Sequence, residues 1–280
     1  MVWILLALII ALVIYLYTQN YLIETTQYSV TVPKLDDQMK GKRIVHLTDL
    51  HLTPRSNKSY IETIIQKTEE AEPDFIVLTG DLVQAGLSSL ADTPLRRFVE
   101  LCTNIAPTYA VTGNHDIASG TFSEFTSILS AADVHLLLDE AEAVTVDEEE
   151  KLVIMGLAER EDQINLPKPM LKSIELTPEM ERLPKVLLAH RPEHFEQYMY
   201  DQTKAPALVL SGHTHSGQAR IPYLGGFYAP GQGFFPKYDY GIFSSEEHRS
   251  RRLIISRGLG NSSFPLRINN RPEIVVITLQ

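Results

Sequence analysis

Five short apolar segments in this chain break at their carboxyl ends into side chains of the kinds that bind metals. RIVHLTDLH (43–51) ends in Asp49 and His51, DFIVLTGD (74–81) in Asp81, and PTYAVTGNHD (107–116) in Asn114, His115 and Asp116. PKVLLAH (184–190) ends in His190, and APALVLSGH (205–213) in His213, with His215 two residues further on. Runs of this length, rich in Val, Ile and Leu, read as buried strands. Helical periodicity follows each of the first three, over 57–71, 94–104 and 121–132. Strands alternating with helices predict an α/β architecture. In open α/β sheets ligands bind outside the carboxyl ends of the strands, so one sheet edge should gather all these groups.

Taken singly, each group has an ordinary explanation. Asp81 after Gly80 suits a turn or a helix cap, and so does Asn114. A histidine ending an apolar strand, as His190 does, is more often a core residue than a ligand. Five strand ends making the same choice argue instead for one site. Imidazole and carboxylate suit zinc, manganese and iron ions. Cys102 is the only cysteine, which excludes an intramolecular disulfide and a thiolate zinc framework. Gly80, Gly113 and Gly212 would let the backbone turn tightly beside the ions. Two ions roughly 3.5–4 Å apart could share one carboxylate and a bridging hydroxide, which would attack phosphorus in line.

The second half of the chain is richer in strands. AVTVDEEEKLVIMGLA reads as a hairpin with an acidic tip at 147–150, and RLIISRG (252–258) and EIVVITLQ (273–280) as further strands. QYSVTVPKL (27–35) reads as a strand ahead of the first site segment. Two packed sheets are expected in one domain over residues 24–280, with no repeat and no low-complexity linker.

The amino-terminal run VWILLALIIALVIYLY (2–17) is wholly apolar or aromatic, and no charge occurs before Glu24. As a helix, residues 2–22 would extend roughly 30 Å, about one hydrocarbon core. Trp3 at one end and Tyr15, Tyr17 and Tyr21 at the other suit interfacial anchors. A signal peptide would want a basic leading region and a small-residue cleavage site, and neither is present. Residues 1–23 are therefore expected to be an uncleaved single-pass anchor. Lys34, Lys40, Lys42 and Arg43 follow it, which favours a cytoplasmic catalytic domain. The formal net charge of −10 makes nucleic acid an unfavourable partner, because phosphate backbones call for a basic surface.

The ordered set Asp49-x-His51, Gly80-Asp81, Gly113-Asn114-His115-Asp116, His190 and Gly212-His213-Thr214-His215 resembles the calcineurin-like metallophosphoesterase superfamily across residues 43–219. That resemblance implies a four-layer αββα sandwich of two mixed sheets. It also implies that Asp49, His51 and His215 hold one metal ion, that Asn114, His190 and His213 hold another, and that Asp81 bridges them. His115 would bind no metal but donate a proton or hydrogen bond to the phosphate or leaving oxygen, and Asp116 would be structural. The stretches SGHTHSGQARIPYLGGFYAPGQGFF and SRGLGNSSFPLRINNRPEIVVITL resemble the small bacterial membrane-associated branch. That branch includes enzymes similar to calcium-independent UDP-diacylglucosamine pyrophosphatases and cell-wall-associated Bacillus phosphoesterases.

Two departures matter. GDLVQAG lacks the second aspartate and the arginine of the protein Ser/Thr phosphatase motif, and the twin-arginine export signal of some relatives is missing. Arg191 and Arg257 are candidate cations for the phosphate, with surface or structural roles favoured.

The resulting expectation is a membrane-anchored enzyme using two divalent ions (Mn, Fe or Zn) on a phosphate monoester, diester or pyrophosphate, with a lipid-linked small molecule as a candidate substrate. The alternatives are a nucleotide or cyclic-nucleotide phosphodiesterase, and a non-catalytic metal-binding scaffold. The sequence leaves the oligomeric state open.

Overall fold

In a computed structural model describing residues 1–261 and 264–280, the apolar leader forms a helix, α1, over Val2–Tyr21. Two six-stranded sheets follow. The first contains β1 (Glu24–Val30), β2 (Arg43–Leu47), β3 (Phe75–Thr79), β4 (Thr108–Val111) and β5 (His135–Leu136). The strand Glu273–Leu279 inserts between β1 and β2, parallel to β1 and antiparallel to β2, while β2 to β5 run parallel. The second sheet contains β6 (Glu140–Val146), β7 (Glu149–Gly156), β8 (Lys185–Leu188) and β9 (Leu208–Ser211), extended past β9 by Arg252–Ile255 and Gly241–Ser244. Its centre is parallel and both its edges are antiparallel. Both sheets are mixed, as expected.

The layers follow from side-chain alternation along the strands. In β3, Phe75 and Val77 face the second sheet, whereas Ile76 and Leu78 face the helices α2 (Lys58–Glu70) and α3 (Leu95–Ile105) and the helix Phe122–Ala131. In β8 and β9, Val186, Leu188, Leu208 and Leu210 point inward, and Leu187 and Val209 point outward. All are buried, and each such side chain contributes about 1.5–3 kcal/mol relative to exposure. The outermost layer over the second sheet is built from the short helix Pro178–Arg182 and the 3-10 segment Pro192–Met199, with Phe195 and Tyr198 buried against the strands. Prolines at 167, 169, 178, 184 and 192 interrupt longer α-helices in this stretch.

The helices lie within a residue of their expected bounds. Asn57 caps α2, its side chain accepting from the N–H groups of Ser59 and Tyr60, as N-cap residues do. The strand and turn boundaries differ more widely, the strands being shorter than the apolar segments that announce them. The first strand is Glu24–Val30 rather than 27–35, because pairing with Glu273–Leu279 begins at Glu24. The strand at 43–51 stops at Leu47. The acidic tip is two residues, Asp147 and Glu148, both with positive φ (50° and 66°), the geometry a two-residue hairpin turn demands. Residues 262–263, within the SRGLGNSSF motif, lie outside the described residues.

Candidate metal centre

The strand ends meet at one edge of the sandwich, and the backbone there is strained. Asp49, His51, Asp81, His213 and His215 all have left-handed φ, between 45° and 71°. Few non-glycine residues adopt that region, and residues held in it cluster at functional sites. The effect is to turn each chain sharply off its strand so that its side chains face one point. Asn114 and His115 get there differently, opening the four-residue helix Asn114–Ile117. Two glycines make the crowding possible. A Cβ at Gly212 would come 2.2 Å from Asp49 Oδ2, and one at Gly113 would come 2.3 Å from Asp81 Oδ1.

Two clusters result, each with ligand-type atoms within 4.8 Å of one another: Asp49, His51 and His215, and Asp81, His190 and His213. Asp81 stands between them, its Oδ2 3.6 Å from His51 Nε2 and 3.4 Å from His190 Nε2. Asn114 Oδ1 lies 3.2 Å from His190 Nε2. In the other cluster, Asp49 Oδ1 is 3.4 Å from His215 Nε2. The structure thus brings together all seven residues expected as ligands.

The donor set suits divalent cations. His51 Nε2 faces His215 Nε2 at 3.0 Å, and His190 Nε2 faces His213 Nδ1 at 3.1 Å. Between two imidazole nitrogens that close there is room for at most one proton, whereas a cation would use both lone pairs. The far nitrogens of two rings are held as metal-binding imidazoles require. His190 Nδ1 is 2.8 Å from the carbonyl oxygen of Thr79, and His51 Nδ1 is 3.1 Å from Gln84 Oε1. In each case an Nδ1–H donor turns the Nε2 position inward, as a metal-binding ring requires.

Burial dominates the electrostatics. It pushes His51 down to about 4 and holds His213 and His215 well below the usual imidazole range, so these rings are neutral. Burial also raises Asp49 to about 7. Burial would raise Asp81 as well, but the facing His190 outweighs it and holds the carboxyl far below its ordinary value. Reciprocally, burial opposes the charge on His190, but the Asp81 carboxylate raises it to about 10. Without metal, a proton on His190 is the positive charge that Asp81 requires.

His115 differs from the four histidines of the two clusters in being partly exposed. Its ring stands edge-on to His51 at 4.5 Å, and it too comes within 4.8 Å of His51 and Asp81. Its Nδ1 accepts the Ala85 N–H at 3.3 Å, so in the neutral ring Nε2 carries the hydrogen. Its backbone N–H donates to Asp81 Oδ1 at 2.7 Å. Asp116 is structural, as expected: its carboxylate accepts from the N–H groups of Gly113 and Val83 at 2.8 and 3.0 Å.

A cleft of about 580 Å³ opens onto these groups, reaching Asp81, Asn114, His115, His213 and His215 at one end and walled by Phe227, Tyr228, Pro230, Phe264 and Ile268. Of the two candidate arginines, Arg191 lines it. Its guanidinium sits 2.8 Å from Glu159 and 3.1 Å from His213 Nε2. Arg257 is buried against Glu24 and Glu273 and stacks on Tyr240, away from the cleft.

Arg267 was not anticipated. Fully buried, it donates to the carbonyl oxygens of Arg257, Gly258 and Gly260 and lies 3.4 Å from His215 Nδ1. Asn270 donates to the carbonyl oxygen of His215 at 2.7 Å. Gln84, behind His51, was also missed.

Comparison with known proteins gives the family. The model for calcineurin-like phosphoesterases matches residues 42–217. An uncharacterized metallophosphoesterase of Bacillus subtilis (strain 168), YkuE, is 29% identical over 273 residues, covering 94% of this chain and 88% of that protein. The phosphodiesterase YaeI of Escherichia coli (strain K12) is 30% identical over 239 residues, 85% of this chain and 82% of its own. The UDP-2,3-diacylglucosamine pyrophosphatase LpxG of Chlamydia trachomatis serovar D is 26% identical over 313 residues, with 91% and 89% covered. A family match that takes in every strand end of the site, with a relative this similar across most of both chains, means that the chain belongs to the calcineurin-like phosphoesterases, hydrolases of phosphate esters.

Proposed function

We propose that this protein is a membrane-anchored phosphoesterase working with two divalent cations, on a substrate that joins a phosphate ester or anhydride to an apolar group. The observation that carries this reading is the pair of ligand clusters at the floor of an apolar-walled cleft, with the Asp81 carboxylate facing His51 of one and His190 of the other. Asp49, His51 and His215 hold one cation, Asn114, His190 and His213 the other, and Asp81 both. Four nitrogen and three oxygen donors admit Mn, Fe or Zn. When bound, the cations polarise the phosphoryl oxygens and acidify water.

The chain's own residues then do three things. The neutral rings of His51, His213 and His215 offer lone pairs without first losing a proton. His115, its Nε2–H fixed by the bond from Ala85, donates toward a phosphoryl or leaving oxygen at the cleft floor. Phe227, Tyr228, Phe264 and Ile268 take the apolar part of the substrate and exclude water around the phosphorus, which strengthens every charge interaction there.

Residues 1–23 are the membrane anchor and 24–280 the catalytic domain. Lys34, Lys40, Lys42 and Arg43 favour the cytoplasmic side. The relative whose name gives a diacylated sugar nucleotide as its substrate supports the lipid-linked choice.

A substrate panel separates the readings. The detergent-solubilised protein with Mn²⁺ should hydrolyse bis-p-nitrophenyl phosphate, and an acylated nucleoside diphosphate sugar faster than its deacylated counterpart. Equal rates on the acylated and deacylated compounds, or a preference for free and cyclic nucleotides, would instead favour the nucleotide phosphodiesterase alternative.

A further inference from the structure

The carboxyl end of α1 is fastened to the loops that wall the cleft. Tyr15 donates its hydroxyl to Asn269 Oδ1 at 2.8 Å and accepts the Asn269 N–H at 3.0 Å. Gln19 accepts the N–H of Asn270 at 2.8 Å, and Asn20 accepts that of Arg267 at 3.1 Å. Asn269 in turn donates to the carbonyl oxygen of Arg220 at 3.2 Å, where the small hairpin 220–226 begins. Its neighbour Ile268 lines the cleft. The helix end and the cleft wall are therefore one packed unit.

The point where α1 leaves the domain then sets the depth. Residues 2–14 are exposed throughout, and the domain packs against the helix from Tyr15 onward. Whatever flanks Tyr15 then lies at the depth of the membrane interface. Those flanking residues are suited to it. Ile221, Tyr223 and Leu224 are 36%, 106% and 63% exposed, Phe264 is 50% exposed and Leu266 38%. No charged residue occurs from Ile221 to Phe235. Gln218 ties the two groups together by donating to the carbonyl oxygens of Phe264 and Leu266. Contiguous exposed apolar surface of this kind marks a membrane or protein contact, and its continuity with α1 selects the membrane.

We infer that the Ile221–Leu224 loop, with Phe264 and Leu266, is a second membrane-contacting element. It inserts into the lipid interface beside α1, so that the cleft opens at the bilayer surface. The inference rests on the anchor reading above. A phosphate ester whose apolar part stays in the bilayer would then reach Asp81 and His115 without leaving it. Because the chain is acidic, insertion depends on apolar burial rather than on anionic lipid.

The test uses the full chain in phosphatidylcholine vesicles that carry acyl-brominated lipid, a quencher confined to the membrane. Trp3 is the only tryptophan, so in the unaltered protein its quenching reports the anchor alone. In a W3F background, Y223W, with L224W as an independent second reporter, should show a blue-shifted maximum and lose most of its emission to the brominated lipid. An emission maximum at the solvent position, quenched by aqueous iodide and not by brominated lipid, overturns the inference when Trp3 itself is quenched. Unquenched Trp3 would overturn the anchor reading and this inference with it.

Discussion

His115→Ala is expected to keep its bound metal and to lose roughly 10²–10⁴-fold in turnover, the range for removal of a positioned proton donor. The two effects separate because the residue contributes through different atoms. Its backbone N–H, which survives in alanine, is the group that holds Asp81 Oδ1 at 2.7 Å, so the shared ligand keeps its orientation. Its ring supplies the Nε2–H that faces the cleft, with Nδ1 occupied by the Ala85 N–H. Metal analysis beside steady-state kinetics on bis-p-nitrophenyl phosphate checks both halves. A fully active variant would remove His115 from the chemistry, and a metal-depleted one would make it a ligand.

Asp81→Asn should lower affinity for both cations, by more than the 10–100-fold typical of groups that only support a ligand. The amide is nearly isosteric, and if its oxygen keeps the bond from the His115 N–H, its NH₂ group faces His51 and His190. A donor then stands where an acceptor is needed, and the negative charge balancing two cations is lost. Asp49→Asn provides the contrast, because Asp49 belongs to one cluster only, and the second cation should stay bound. Titrations followed by metal analysis distinguish the two variants. Equal losses in both, or unchanged metal content in Asp81→Asn, would contradict the sharing of Asp81.

The parts of this site that were legible in the sequence are those encoded locally. An apolar run that stops at Asp81 or His190 signals both a buried strand and what its end presents, and five such signals together locate an edge. The groups that were missed act at a distance. Arg267 stands in LRINNRPE, which has the composition of a surface loop. It is buried because the carbonyl oxygens of Arg257, Gly258 and Gly260 surround its guanidinium behind His215. Burial costs that guanidinium some of its proton affinity, lowering it to about 10, and no sequence pattern announces such a position. Gln84 likewise meets His51 only through the side-by-side path of two loops, marked by the bridge between Leu52 and Val83. The first strand was misplaced for the same reason, since its partner begins at Glu273. Local chemistry was readable, and long-range enclosure was not.

The most direct measurement is the metal content of the purified full-length protein, taken beside its hydrolysis of bis-p-nitrophenyl phosphate with Mn²⁺ and again after chelation. Two ligand clusters with Asp81 facing both predict two ions per chain, turnover abolished by the chelator, and recovery when metal is restored. A protein that binds no metal, or whose turnover is indifferent to chelation, would contradict the assignment of Asp49, His51, Asp81, Asn114, His190, His213 and His215 as a metal centre.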